Sequence, residues 1–113
     1  MTRGKLVLVP FPFDDLSEVK VRPALCLTDP IGPNRHVILA FLTSRIESRV
    51  SATDLVLSAS GPDFAQTGLR VASTLKLHRV MTVTTALIRR ELGELSPALQ
   101  TEVNNRLRNL FGL

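Results

Sequence analysis

Before Ser96, every apolar run in this chain is short and stops at a proline, a glycine or a polar cluster. Such runs suit β-strands and leave no room for a helix of several turns. Leu6 to Val9 is the first, closed by Pro10-Phe11-Pro12-Phe13, and residues 12–20 read as a polar loop. Arg22 to Thr28 is the second, stopped by the turn-rich Asp29-Pro30-Ile31-Gly32-Pro33-Asn34. His36 to Thr43 is the longest continuous run and is expected to be a central strand buried on both faces. Asp54 to Leu57 follows, ahead of a turn at Gly61-Pro62-Asp63. Val71 to Leu77 and Val80 to Val83 read as two strands broken at His78-Arg79. Thr85 to Ile88 reads as one helical turn leading into a strand over Arg89 to Leu95.

After Ser96 the period changes. Ser96 is a good N-cap and Pro97 fits the first helical position. Leu99, Val103, Leu107 and Leu110 recur at helical spacing, and Gly112 is a natural stop. The pattern is mainly β with one C-terminal helix: a strongly curved antiparallel sheet or small barrel with a helix packed on it.

The 113 residues amount to one domain, 1–113, with 44% apolar and 21% charged residues. Trp and Tyr are absent and Phe occurs five times, so the core must come from Leu and Val. The lone Cys26 makes neither an internal disulfide nor a zinc site. No run approaches membrane-spanning length, and the opening Met-Thr-Arg-Gly-Lys segment is too soon interrupted for a signal sequence. A cytoplasmic protein without a membrane partner is expected.

The net charge of +4 is modest, but its distribution is not even. From Phe64 to Arg90 there is no acid, while Arg70, Lys76, Arg79, Arg89 and Arg90 all fall there. Asp14, Asp15 and Glu18 cluster instead in the first loop, which reads as a lid rather than a metal site because no second cluster matches it. A one-sided basic face on a small β-domain points to nucleic acid.

Two segments concentrate the chemistry. Lys20-Val21-Arg22-Pro23-Ala24-Leu25 puts an arginine where a polar loop meets an apolar run, and Ala40-Phe41-Leu42-Thr43-Ser44 puts hydroxyls where another run ends. On neighbouring strands these would set a guanidinium and a hydroxyl at one rim, a pairing that suits phosphate. The chain has no P-loop, no His-x-x-x-His, no second carboxylate cluster to match the first loop and no serine-hydrolase elbow, so neither a metal nor a cofactor is expected. Arg, Lys, Thr, Ser and two His remain, and they fit cleavage of RNA by its own 2′-hydroxyl, which requires no protein nucleophile. Arg22 is either a phosphate contact or a surface arginine, and Thr43 a phosphate donor or a plain β-former. Ser44 is a supporting hydroxyl. Lys20 and Arg79 are candidate groove cations, and Phe11 and Phe13 are base-stacking or packing groups. Lys76 is a groove-lining candidate that, with or without His78, completes the catalytic site. His78 is a proton acceptor or an exposed histidine, and His36 is structural.

These segments, with Phe11-Pro12-Phe13-Asp14-Asp15-Leu16, Gln66-Thr67-Gly68-Leu69, Ser73-Thr74-Leu75-Lys76 and Leu87-Ile88-Arg89-Arg90-Glu91-Leu92-Gly93-Glu94-Leu95-Ser96, resemble in order the MazF/PemK-type toxins of type II toxin–antitoxin modules. The resemblance implies an SH3-like barrel working as a homodimer, cleaving single-stranded RNA and held off by an antitoxin with an acidic, disordered tail. It places the catalytic arginine on Arg22 and the catalytic hydroxyl on Thr43. The chain departs from the family where many members carry Arg-x-Asp, reading Lys76-Leu77-His78, and again at Met81-Thr82-Val83-Thr84. His78 there is either a proton acceptor or a neutral replacement in a weakened site. The rival reading is a non-catalytic barrel that binds RNA or a protein such as a topoisomerase.

Overall fold

The computed structural model describes residues 2–12, 19–45 and 50–113. Phe13 and the acidic residues Asp14, Asp15 and Glu18 lie outside the described residues. Among the described residues six strands run β1 (Lys5–Pro12), β2 (Val19–Cys26), β3 (His36–Thr43), β4 (Asp54–Leu57), β5 (Ser73–Thr84) and β6 (Arg90–Glu94). Single 3-10 turns lie at Ala65–Thr67 and at Thr85–Leu87, the latter where a helical turn is expected, and the α-helix α1 (Pro97–Phe111) follows β6. The strands pair antiparallel in the order β4-β5-β3-β2-β1-β6, a curled half-barrel whose edges are β4 and β6.

Strand alternation explains two cores. Leu6, Leu25, Ala40, Leu42, Leu75 and Leu77 point to one side, where Val103 of α1 is fully buried and Leu99, Leu107 and Leu110 pack beside it. Val7, Val9, Ala24, Val37, Leu39 and Phe41 point to the other side and meet Val83 and Ile88. Strand β3 feeds both clusters, as its unbroken apolar run predicts. Ser96 caps α1 by accepting from Leu99 N–H at 3.2 Å, Pro97 holds the first turn, and Gly112 ends it at φ 70°. Among the described residues no helix is long and apolar enough to cross a membrane.

Strand boundaries differ from the sequence expectation around the first loop. β2 runs Val19–Cys26, so Val19 and Lys20 lie in a strand rather than in the expected loop, and it stops short of Thr28. β1 continues through Pro10 to Pro12, which also lies in a strand rather than in that loop. Its ladder to β6 ends at Leu8, so Pro10 sits where that side of the strand is already open. Pro23 lies inside β2, and the ladder from β2 to β3 covers only Ala24 to Cys26. Proline has no N–H to give a neighbour, and the pairing stops beside it.

A further difference concerns β5, which is one strand rather than two. Its ladder to β3 jumps from Ala40↔Val80 to Phe41↔Lys76, so Leu77, His78 and Arg79 are taken up by a register shift. The break expected at His78-Arg79 is real, but it is a bulge and not a chain end.

Candidate functional site

A cleft of about 650 Å³ opens at the end of the sheet where β2 and β3 part. The β2–β3 register sets Ala24 against Phe41; carried two residues further, it brings Arg22 level with Thr43. Both line the cleft, with Pro23 and Ser44 beside them. The two sequence segments singled out for an arginine–hydroxyl pair therefore meet at one site.

Thr43 Oγ1 accepts a hydrogen bond from Arg45 N–H at 3.1 Å. That bond orients the hydroxyl and leaves its hydrogen to be donated to a ligand. Phe11 and Phe41 form part of the wall, with ring centroids 4.1 Å apart and planes tilted by 54°. Such a pair offers an apolar surface of the kind on which a base stacks.

The segment from Gly68 to Val71 also lines the cleft. It is held there by two close backbone approaches. A Cβ on Gly68, whose φ is 74°, would lie 2.1 Å from Leu92 O, and one on Gly93 would lie 2.2 Å from Gln66 O. Thr67 is fully buried behind them and donates its hydroxyl hydrogen to Phe64 O at 2.6 Å. Only glycine allows the 65–68 turn to lie so near β6, and this contact carries Arg70 to the cleft.

Arg22, Arg45, Arg70, Arg79 and Arg90 all line the space, and no acid among the described residues does. A guanidinium is a fixed cation with a planar donor fork that matches phosphate oxygens. Arg45, Arg70 and Arg90 do not stand out as site residues in the sequence. The acid-free stretch from Phe64 to Arg90 is the signal that contains two of them.

Other candidates fall elsewhere. Lys20 is exposed, pairs across β1 with Phe11 and does not line the cleft. Lys76 is not a cleft cation either: it is buried, and its Nζ lies 3.0 Å from Asp54 Oδ2. Burial raises the Asp54 pKa, but hydrogen bonds from Lys76 and the Ser51 backbone outweigh it and hold the carboxyl below its ordinary value. His78 is exposed on the β4 side, with Nδ1 3.1 Å from Thr53 Oγ1, and also does not line the cleft. His36 opens β3 opposite Thr84 and is exposed. Cys26 is buried, and desolvation pushes its thiol up to about 11, which suits a packing residue rather than a nucleophile.

The chain is similar to known proteins over nearly its whole length. The family model for the PemK-like, MazF-like toxin of type II toxin–antitoxin systems matches residues 2–111. Among solved structures, an endoribonuclease in complex with its cognate antitoxin, from a mycobacterial species, superposes with a TM-score of 0.71 at 19% identity. That match covers 100% of this chain and 96% of the other. The MazE–MazF complex from Deinococcus radiodurans gives 0.75 at 20% identity, with the same coverage of 100% and 96%. The Mycobacterium tuberculosis toxin MazF-mt6 gives 0.67 at 21% identity, covering 95% of this chain and 97% of its own. At these identities the superpositions bear on the fold. No curated protein matches the sequence.

Proposed function

Since the chain belongs to the PemK-like, MazF-like toxin family of type II toxin–antitoxin systems, we propose that it cleaves single-stranded RNA at the Arg22–Thr43 cleft. One observation carries the reading: Arg22 and Thr43 share a cleft lined by five arginines and, among the described residues, no acid.

The reaction that suits these groups uses the RNA's own 2′-hydroxyl. Its oxygen attacks the adjacent phosphorus, the bond to the 5′ oxygen breaks, and the products carry a 2′,3′-cyclic phosphate and a 5′-hydroxyl. Negative charge builds on the non-bridging oxygens as phosphorus becomes crowded. Arg22 faces that charge with its fork, and Thr43 donates its hydroxyl hydrogen to one of the same oxygens. The remaining cleft arginines hold flanking phosphates, and the Phe11–Phe41 pair takes a base. Without a 2′-hydroxyl the attack has no nucleophile, so DNA is not cut.

In this reading the protein is the toxin of its module, a cytoplasmic homodimer that stops growth by destroying messenger RNA. Its antitoxin occupies the arginine cleft with an acidic tail. The solved relatives that carry an antitoxin support that partner.

A second reading, a non-catalytic RNA- or protein-binding barrel, draws on the placement of Lys76 and His78 outside the cleft. Incubating the purified protein with a long RNA in the presence of a chelator separates the two. Discrete fragments ending in 2′,3′-cyclic phosphate are expected. Retention of intact RNA at every pH from 5 to 9 would establish the binding module instead.

A further inference from the structure

Lys76 and Asp54 are charged, buried and unused by the chemistry above. We infer that they are positioning residues for the cleft: their ion pair fixes the register shift in β5 that delivers Arg79 to it. The inference rests on the cleft being the RNA site.

Strand β5 makes two ladders, and the pair stands where they meet. Lys76 lies opposite Asp54 on β4 and opposite Phe41 on β3, so it is held from both sides. Asp54 is the first residue of β4, and that ladder ends with it. Beyond Lys76 the ladder to β3 resumes only at Val80. The pair therefore marks the edge of the three-residue shift.

Those three residues are divided between two directions. Leu77 is fully buried, and its N–H donates to Thr53 O at 3.0 Å. His78 lies against the Thr53 hydroxyl. Arg79 lines the cleft. A bulge re-aims a side chain in this way, and its position along the strand decides which one. A slip of one residue would exchange the inward and outward sets.

An apolar pair at 54 and 76 would fill the space but would tolerate such a slip. A buried carboxylate does not. Asp54 Oδ1 is buried without a hydrogen-bond partner among the described residues, so its charge depends on the contacts of Oδ2. Those are Lys76 Nζ at 3.0 Å and Ser51 N–H at 3.2 Å. Arg106 of α1 ties the same point to the helix, donating to Asp54 O at 2.6 Å. Asp54 is thus anchored, and displacing Lys76 from it would strand a buried charge.

The test compares wild type, Arg79→Ala, the double variant Asp54→Leu/Lys76→Leu, and the double variant combined with Arg79→Ala. Binding of a fluorescent single-stranded RNA oligomer is measured against salt. Arg79→Ala is expected to lower the log–log slope by about 0.7, the share of one phosphate contact on a single strand. The folded double variant is expected to lose the same amount, with no further loss in the combined variant. A wild-type slope in the double variant, or losses that add, would overturn the inference.

A second measurement stands apart from RNA. Cross-strand nuclear Overhauser contacts between Ala40 and Val80 should be replaced by others in the double variant. If they persist unchanged, the pair does not set the register. Should wild type show no salt-dependent RNA binding, the functional reading fails, and these contacts alone decide the register claim. If the double variant does not fold, Asp54→Asn keeps the shape without the charge and replaces it in both measurements. The same changes are then expected, and the same wild-type behaviour would overturn the inference.

Discussion

The cleft and the β4–β5 edge are built from similar residues and treat them in opposite ways. At the cleft, Arg22, Arg45, Arg70, Arg79 and Arg90 are all exposed. At the β4–β5 edge, the Lys76 side chain is 10% exposed and that of Asp54 only 2%. A cation left in water keeps its field for a ligand, whereas one buried against a carboxylate spends that field on the fold. Position along the sequence does not separate these roles: Lys76 and Arg79 are close neighbours on one strand. Burial does. The largest effect on stability should follow. Lys76→Met leaves Asp54 buried and uncompensated, and urea denaturation should show a loss of about 3–5 kcal/mol. A loss below about 1 kcal/mol would mean that the pair behaves as an exposed one and that the contrast is false.

Arg22→Ala tests the other side of the contrast. Its side chain is exposed, so the melting curve should stay close to wild type. Cleavage of RNA should fall by about 10²–10³-fold, the usual cost of removing one donor that faces developing charge. Full activity in that variant would remove Arg22 from the mechanism. Thr43→Val keeps the β-branched shape and removes the hydroxyl, and its expected loss is smaller, about tenfold for a bond worth 1.5 kcal/mol. A kcat unchanged by that substitution would leave Thr43 as a strand-former.

Acid probes the pair from the protein's side. The Asp54 pKa is lowered in the folded state from an ordinary 3.8, so its ionised form favours folding. That contribution is complete above pH 3.8 and is lost as pH falls through the lowered folded value. Wild type should therefore lose its stability advantage over Asp54→Asn below pH 3.8, as read from thermal melts across that range. A gap that stays constant down to pH 2 would show that charge is not what stabilises the site.

Much of this architecture is legible in the sequence itself. The helix is readable to its caps because Ser96, Pro97 and Gly112 act within a single turn of chain. The Arg22–Thr43 pairing is readable because each residue marks the end of an apolar run, and adjacent runs tend to pair. Lys76 is misplaced by sequence reasoning for a physical cause. Its partner, Asp54, lies 22 residues away, and no local pattern announces a buried ion pair. Arg45 escapes notice, and Arg70 shows only as part of an acid-free stretch, because loops carry both to the cleft. The glycine contacts that carry Arg70 involve Gly68 and Gly93, which are remote in sequence. The His78-Arg79 interruption is visible, but a bulge and a strand break look alike without the partner strand.

The smallest effect is expected at His78, where the sequence allows two readings. Its Nδ1 meets Thr53 Oγ1 at 3.1 Å, and that hydroxyl in turn lies 2.8 Å from Ser51 Oγ. These bonds join β5 to the chain entering β4, and neither Thr53 nor His78 lines the cleft that holds Arg22 and Thr43. Glutamine reaches a comparable distance and can exchange a hydrogen bond with Thr53. His78→Gln should therefore change stability by no more than about 0.5 kcal/mol. It should leave RNA cleavage within about threefold of wild type, with the pH–rate profile unaltered in shape. A general base would behave otherwise, since its removal costs about 10²–10⁴-fold and deletes one limb of the profile. That result would move proton transfer to the β4–β5 edge, and the division between a reactive cleft and a structural edge would fail at this residue.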